Sequence, residues 1–156
     1  MTEHIKVLAL RLLDGFDQHI SANVRLFYFY HKILGIRYYS GAEGPVGFTG
    51  LHVAAFFGIM VIAASLLDLK ELDPNAPDLT GNTVLTWAAG RGRDEIVKML
   101  LERRDVNPDQ ADAKYGRTPL SWAAGNGYLE VVKILLQRGD VSPDQADAKY
   151  SQTPLL

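Results

Sequence analysis

Apolar and polar positions follow a pattern that recurs along most of the chain. A Thr-x-Leu step, a pair of alanines, a glycine and a pair of leucines return in the same order every 34 or 35 residues. A repeat of this length indicates stacked supersecondary units. The landmarks are Thr49, Thr83, Thr118 and Thr153, then Ala54, Ala88 and Ala123, then Gly58, Gly92 and Gly127, then Leu66, Leu100 and Leu135.

Each unit is predicted to contain a turn, a short helix, a tight turn, a longer helix and a loop. In the third unit, Thr118 supplies an N-cap oxygen and Pro119 suits the first helical position. Gly127 allows the tight turn between the helices. The second helix carries an apolar stripe at helical spacing, which we expect to be buried. Its members are Leu129, Val132, Leu135 and Leu136.

Charges at the ends of the second helices match the helix dipole, with acids first and bases last. In the third unit, Glu130 comes early and Lys133 and Arg138 come late, and Gly139 is expected to end the helix. The second unit has the same order, with Asp94 and Glu95 before Arg103 and Arg104.

These motifs resemble the ankyrin-repeat family. The resemblance lies in residues 118–127 and 130–136, with a looser copy at 50–55 that keeps the family's histidine as His52. It implies an all-α solenoid of helix-turn-helix units with β-hairpin-like loops. The units would span about residues 48–81, 82–116 and 117–151, with a truncated fourth from 152.

A narrower likeness concerns the residues at 47–52 and 107–120, which look like those of fungal ankyrin arrays. Such arrays often form the C-terminal sensing part of NLR-type receptors, behind a nucleotide-hydrolysing NACHT domain. The likeness implies a ligand-sensing role for this chain.

The family leaves certain positions free for contact on the side of the stack lined by loops and first helices. Repeats build extended binding surfaces of this kind without catalytic machinery. Mapped onto this chain, the predicted partner-binding residues are Phe56, Phe57, Thr80, Asn82, Arg91, Lys114, Tyr115, Arg117, Asn126, Lys149, Tyr150 and Gln152. Packing against residues 1–47 would explain Phe56 and Phe57 equally well.

The first unit departs from the pattern, because its second helix is apolar where that of the next unit is charged. Ile59, Met60, Val61 and Ala64 stand where the second unit has Arg93, Asp94, Glu95 and Lys98. A covering segment would explain this exchange. Residues 1–47, with helices expected at about 3–13 and 21–34, are therefore predicted to be a helical N-terminal cap or linker. The alternative, a membrane hairpin, is disfavoured by Arg25 and Lys32.

Composition narrows the function further. The formal net charge of −2 gives no general attraction to nucleic acid or acidic lipid, and the sequence has no cysteine. The first residues do not resemble a secretory signal, so we expect an intracellular, cytoplasmic protein. The uncharged stretch from Val53 to Leu67 is short for a membrane span.

Candidate chemistry is weak, and we expect neither catalysis nor a cofactor or metal. The sequence lacks a phosphate-binding loop motif, and its four histidines lack metal-ligand spacing. His52 is expected to hydrogen-bond backbone between neighbouring loops. Recurring loop aspartates could suggest calcium, but a solvated turn is the favoured interpretation. They are Asp109, Asp112, Asp144 and Asp147. Trp87 and Trp122 share one register position and are assigned to the core and the concave surface rather than to base stacking.

The predicted function is therefore recognition of a protein partner, with no nucleic acid and no membrane involved. The fourth unit stops at Leu156, where its first helix should begin. Repeat arrays need a polar terminal unit to shield the last face. The alternative is thus a structural, self-assembling fragment that stacks on another copy or on a longer array.

Overall fold

The structure, a computed structural model, describes residues 49–68, 72–78, 80–147 and 152–154. These residues contain six helices in three pairs and no strand, which confirms the predicted all-α repeat architecture. The helices are α1 (Gly50–Phe57), α2 (Met60–Leu67), α3 (Val84–Gly90), α4 (Asp94–Leu101), α5 (Pro119–Gly125) and α6 (Leu129–Gln137). The predicted cap, residues 1–47, lies outside the described residues.

The threonines of the second and third Thr-x-Leu steps cap the first helices of their units with their side chains. The side chain of Thr118 accepts a hydrogen bond from the backbone N–H of Ser121 at 3.2 Å. Thr83 accepts one from Thr86 at the same distance. Pro119 occupies the first helical turn, where its missing N–H costs nothing. Both predictions for the start of the helix are confirmed.

The paired helices are separated by the predicted glycine turns. Gly58, Gly92 and Gly127 have φ values of 78°, 65° and 76°. Residues with a Cβ atom rarely adopt this left-handed conformation. The second helix can therefore fold back against the first after a very short connection.

The core runs continuously through the stack. The leucines of the Thr-x-Leu steps, Leu51, Leu85 and Leu120, are no more than 1% exposed. Alanines one turn later are equally buried, and their small size lets α1, α3 and α5 stack side by side. The inward faces of α2, α4 and α6 close the core from behind.

The prediction of a buried stripe on α6 is only partly right. Leu135 is fully buried and Val132 is 9% exposed, but Leu129 is 71% and Leu136 is 41% exposed. Leu129 is the first residue of α6 and stands where the second unit has Asp94, a polar position. Leu136 points to the side of α6 against which no described helix packs. Val131 and Ile134 are buried in their place.

Arg103 and Arg138 lie just beyond the ends of α4 and α6 and bond the preceding unit, which the sequence did not predict. Helix α6 ends at Gln137, before the predicted Gly139, and Arg138 has an extended backbone. Its guanidinium group donates to the carbonyls of Leu101 and Val106 in the preceding unit, at 3.3 and 2.9 Å. Arg103 likewise donates to Leu67 O at 2.8 Å. These arginines therefore join neighbouring units.

Candidate protein-binding surface

The loops before Thr83 and Thr118 fold into narrow turns, which we call fingers, and the third loop is described only at its two ends. The ends of each loop are joined by a backbone hydrogen bond, from Asp78 N to Asn82 O, Asp112 N to Arg117 O and Asp147 N to Gln152 O. Adjacent fingers are also bonded, since Ala113 N donates to Thr80 O at 3.0 Å. A Cβ on Gly81 would lie only 2.2 Å from Ala113 N, so this approach requires glycine.

A buried carboxylate holds the second finger in shape. Asp112 is 4% exposed. Its Oδ1 atom accepts from the backbone N–H groups of Lys114 and Tyr115 at 2.8 and 2.7 Å. Its Oδ2 atom accepts from Arg117 N at 3.2 Å and from the indole N–H of Trp122 at 3.0 Å. The finger is thereby fixed to helix α5.

The first finger has the same arrangement. Asp78 accepts from the backbone N–H groups of Thr80 and Asn82, from the Thr80 hydroxyl and from the indole of Trp87. The prediction of solvated turns is therefore wrong for Asp112, and also for Asp147, which is 4% exposed and lies 3.3 Å from the Arg117 guanidinium. No carboxylate or histidine cluster suited to a metal occurs in the described part of the chain.

Four side chains at the second finger form what we call the finger cluster: Lys114, Tyr115, Arg117 and Trp122. The Tyr115 and Trp122 rings meet edge to face with centroids 6.0 Å apart. The Arg117 guanidinium lies 5.7 Å from the Tyr115 centroid and 5.4 Å from that of Trp122. Lys114 Nζ approaches Tyr115 to 4.8 Å. The cluster combines rigid rings with positive charge.

A second group, the helix cluster, contains Phe56, Phe57, Trp87 and Arg91. The Phe56 ring meets those of Phe57 and Trp87 edge to face at 5.1 and 5.3 Å. The Arg91 guanidinium lies 4.0 Å from the Phe56 centroid. Phe57 is 46% exposed whereas Phe56 is 7% exposed, so Phe57 presents most of the apolar surface of this group.

The predicted contact residues differ in how far a partner could reach them. Phe57, Lys114, Asn126 and Gln152 are exposed, and Thr80, Arg91, Tyr115 and Arg117 are partly exposed. Phe56 and Asn82 are buried and offer little surface. Lys149 and Tyr150 lie outside the described residues.

Sequence reasoning left the two tryptophans out of the contact set. Trp87 and Trp122 are partly exposed beside the predicted residues. Trp87 follows Asp78 by nine residues and Trp122 follows Asp112 by ten. This shared spacing is the signal that could have placed both tryptophans beside the fingers.

The histidine of the first unit is buried and bonds the threonine that precedes its own helix. The backbone N–H of Thr49 donates to His52 Nδ1 at 3.2 Å, and Thr49 Oγ1 lies 2.8 Å from the same atom. Burial lowers the pKa of His52, and the nearby Asp78 carboxylate and the backbone around Asn82 and Ala76 oppose this shift. The ring therefore bonds the turn that starts α1. Thr86 and Ser121 take its place in later units and pair with their N-cap threonines at 3.0 and 3.2 Å.

Comparison with known proteins agrees with this architecture. A family model for ankyrin repeats matches residues 51–147 in three copies. A chain in the complex of the Bd0816 predatory endopeptidase from Bdellovibrio bacteriovorus with the immunity protein Bd3460 is similar, at 31% identity and a TM-score of 0.61. The similarity covers 67% of this chain and 53% of that one.

Inversin from Danio rerio is 42% identical over 41 residues, which is 26% of this chain and 4% of that protein. Both relatives extend well beyond the part that this chain matches. No helix within the described ranges is long and apolar enough to cross a membrane. The three matched copies, the capped helix pairs and the bonded fingers together assign this chain to the ankyrin-repeat family.

Proposed function

We propose that this chain binds a protein partner with the surface formed by its fingers and first helices. Ankyrin repeats are protein-interaction modules and are generally non-enzymatic, and the finger cluster is the observation that carries the proposal here. Tyrosine, tryptophan and arginine are the residue types that most often dominate binding energy at protein interfaces. Here Tyr115, Trp122 and Arg117 lie together at one finger.

The rigidity of the finger supports this role. Binding is weakened whenever a loop must be ordered at the interface. The Asp112 carboxylate already bonds three backbone N–H groups of its finger and the Trp122 indole. A partner would therefore meet these side chains in a fixed arrangement with little entropy left to lose.

Quantitative capture from extracts of the source cells tests the proposal. Immobilised wild-type chain is compared with a Tyr115→Ala/Arg117→Ala variant, with circular dichroism confirming that both remain folded. We expect the variant to retain about a tenth or less of a specific partner, as for loss of two interface hot spots. Lys114→Glu, a change at an exposed residue, should also weaken capture.

Lys133→Glu is the matched control, because Lys133 is exposed on α6 behind the fingers and also changes from positive to negative. It should leave capture unchanged. Equal capture by the wild type, the double variant and Lys114→Glu would exclude the finger cluster as the binding surface.

The finer form of the proposal is that the chain acts inside the cell as the sensing array of a fungal NLR-type receptor. Its support is the resemblance at residues 47–52 and 107–120, together with a sequence free of cysteine. Sequencing of the full-length transcript tests it. A NACHT-coding segment in the same reading frame supports the receptor, and a transcript that encodes residues 1–156 alone contradicts it.

A further inference from the structure

Negative charge is buried on the surface formed by the fingers and first helices. Asp78 and Asp112 begin the two fingers and Asp147 begins the third loop, and each of these carboxylates is 4% exposed. The Asp112 oxygens accept N–H groups of their own finger and of α5. Helices α1, α3 and α5 contain no aspartate or glutamate. This surface therefore presents little negative charge to a partner.

Positive charge on the same surface is accessible. Lys114 on the second finger is exposed, and Arg117 and Arg91, the residue after α3, are partly exposed. No carboxylate of the described residues forms an ion pair with Lys114, whereas Arg117 lies 3.3 Å from the Asp147 carboxylate. Because Asp147 offsets part of the Arg117 charge, Lys114 and Arg91 supply most of the positive potential here.

The exposed carboxylates of the described residues lie outside the fingers and first helices. Examples are Glu95 on α4, Glu130 on α6, and Asp105 and Asp140 in the loops that follow these helices. The formal net charge of the whole chain is −2. The positive surface is therefore a local feature on a chain that is otherwise acidic, and it favours a partner with negative charge at the point of contact.

The rings beside these cations suit apolar side chains better than stacked nucleic-acid bases. Tyr115 and Trp122 meet edge to face, and the Arg117 guanidinium lies over both rings, 5.7 and 5.4 Å from their centroids. A nucleic-acid strand needs open ring faces and many phosphate contacts. Phe57, 46% exposed, adds apolar surface. An acidic protein segment that also carries an apolar side chain matches this combination.

We propose that this surface binds an extended acidic segment of the partner protein. Carboxylates of the segment lie near Lys114 and Arg91, and an apolar side chain packs against Phe57. Arg91 and Lys114 belong to neighbouring units, so the segment crosses from one unit to the next. The inference rests on the proposed function and adds the chemistry of the partner.

The two kinds of contact have different roles in this arrangement. An exposed ion pair contributes little affinity by itself. Aromatic and apolar groups therefore supply the contact area, while the cations select a partner of opposite charge and speed its approach. Loss of the rings should remove binding altogether, whereas reversal of one charge should change which segments bind.

Selection from a library of random linear peptides tests the proposal, with the full chain immobilised. We expect the peptides enriched on the wild type to contain about twice the acidic residues of the unselected library, or more, together with an aromatic or aliphatic residue. Their binding should be lost with Tyr115→Ala/Arg117→Ala. The matched control Lys133→Glu should enrich the same peptides as the wild type.

A charge exchange separates attraction from a structural effect of the substitution. By fluorescence anisotropy, Lys114→Glu should bind an enriched acidic peptide about three- to tenfold more weakly than the wild type, because attraction becomes repulsion. The same peptide with lysines in place of its acidic residues should bind Lys114→Glu more tightly than the wild type. Raising the NaCl concentration from about 0.05 to 0.5 M should weaken the acidic peptide on the wild type, since salt screens exposed charges.

The outcomes distinguish failure of this inference from failure of the proposed function. Peptides that need Tyr115 and Arg117 but lack an excess of acidic residues, or bind Lys114→Glu as tightly as the wild type, would overturn the acidic segment and leave the finger cluster as a binding surface. Peptides that bind all variants equally would contradict both proposals.

Two further results would also overturn the acidic segment. One is a wild type that enriches no peptide. The other is a labelled oligouridylate that binds the wild type more tightly than any enriched peptide and is released by Lys114→Glu, which would make RNA the occupant.

Discussion

The indole N–H of Trp122 donates to the Asp112 carboxylate at 3.0 Å, so a residue of the first helix in one unit holds the finger that precedes it. Trp87 and Asp78 repeat the contact at 2.9 Å. The buried Asp112 carboxylate cannot hydrogen-bond to water. Its hydrogen bonds therefore require both the finger and the helix to be folded. Stability and surface shape are therefore coupled at this contact.

Replacement of Asp112 by asparagine should destabilise the chain by about 2–3 kcal/mol, because an amide cannot accept all the N–H groups that now bond the carboxylate. Urea denaturation measures the change. Asp144→Asn is the control, since Asp144 is exposed, and should cost little. Equal stability of the two variants would show that the carboxylate network contributes nothing to folding.

Replacement of Arg138 by glutamine should loosen the junction between the second and third units. The variant loses bonds to the carbonyls of Leu101, Arg103 and Val106, and we expect a cost of about 1–3 kcal/mol. Faster hydrogen exchange in α6 would locate the effect. Arg104→Gln removes the same charge at an exposed position and should leave exchange in α6 unchanged.

The two glycines Gly92 and Gly125 should respond oppositely to alanine. A methyl group on Gly92 meets the Tyr128 ring at 2.6 Å, and its φ of 65° is unfavourable for alanine. Gly92→Ala should therefore destabilise by at least about 1–2 kcal/mol. Gly125 ends α5 with open space around it, so Gly125→Ala should be neutral or stabilise by about 0.5 kcal/mol. The thermal midpoints of both variants test this prediction. If both substitutions shift the midpoint in the same direction, the difference in packing around the two glycines is contradicted.

Stability should depend on pH through His52. Burial lowers its pKa in the folded chain below the ordinary value of 6.5, so the unfolded chain binds its proton more readily. The neutral ring therefore stabilises the fold fully above pH 6.5, and this contribution is lost as the pH falls below 6.5 and through the folded pKa.

The difference in unfolding free energy between the wild type and His52→Gln isolates this effect from other titrating groups. As the pH falls, the wild type should lose stability relative to the variant. A difference that stays constant from neutral to mildly acidic pH would show that His52 protonates equally in both states.

The role of residues 1–47 as a cap stays a prediction, and Val61 provides its test. Val61 is 48% exposed on α2, where the second unit has Glu95. If the N-terminal segment covers this helix, Val61→Asp should destabilise the first unit by about 2 kcal/mol, since a charge would be buried.

Leu129→Asp is the control for that variant, because Leu129 is 71% exposed at the start of α6 and an acid there suits the helix dipole. Hydrogen exchange in α1 and α2 reports the effect. Unchanged exchange after Val61→Asp would mean that nothing covers this side of α2.

Sequence reasoning located the helix pairs, because their determinants are local. Thr118 and Pro119 start α5 through the backbone groups of the same turn, and Gly127 allows the turn through its own φ. Each effect involves residues a few positions apart. The recurrence of these signals at 34 or 35 residues then implied stacking without any knowledge of coordinates.

The candidate surface was less predictable, because its contacts join residues far apart in the chain. Arg138 matched a dipole rule for its own helix, yet its guanidinium bonds a carbonyl 37 residues earlier. Asp112 looked like a solvated turn residue, yet neighbouring elements bury it. Phe56 and Asn82 occupy positions that the family leaves free, yet both are covered.

The sequence by itself therefore determined the architecture of this protein: the number of units, the helices within them and the caps and turns that bound them. The tertiary structure alone decided which polar groups are buried, which unit each arginine bonds and which of the predicted contact residues are exposed. Local conformation depends on nearby residues, whereas burial and partner choice depend on the surfaces that stacking brings together.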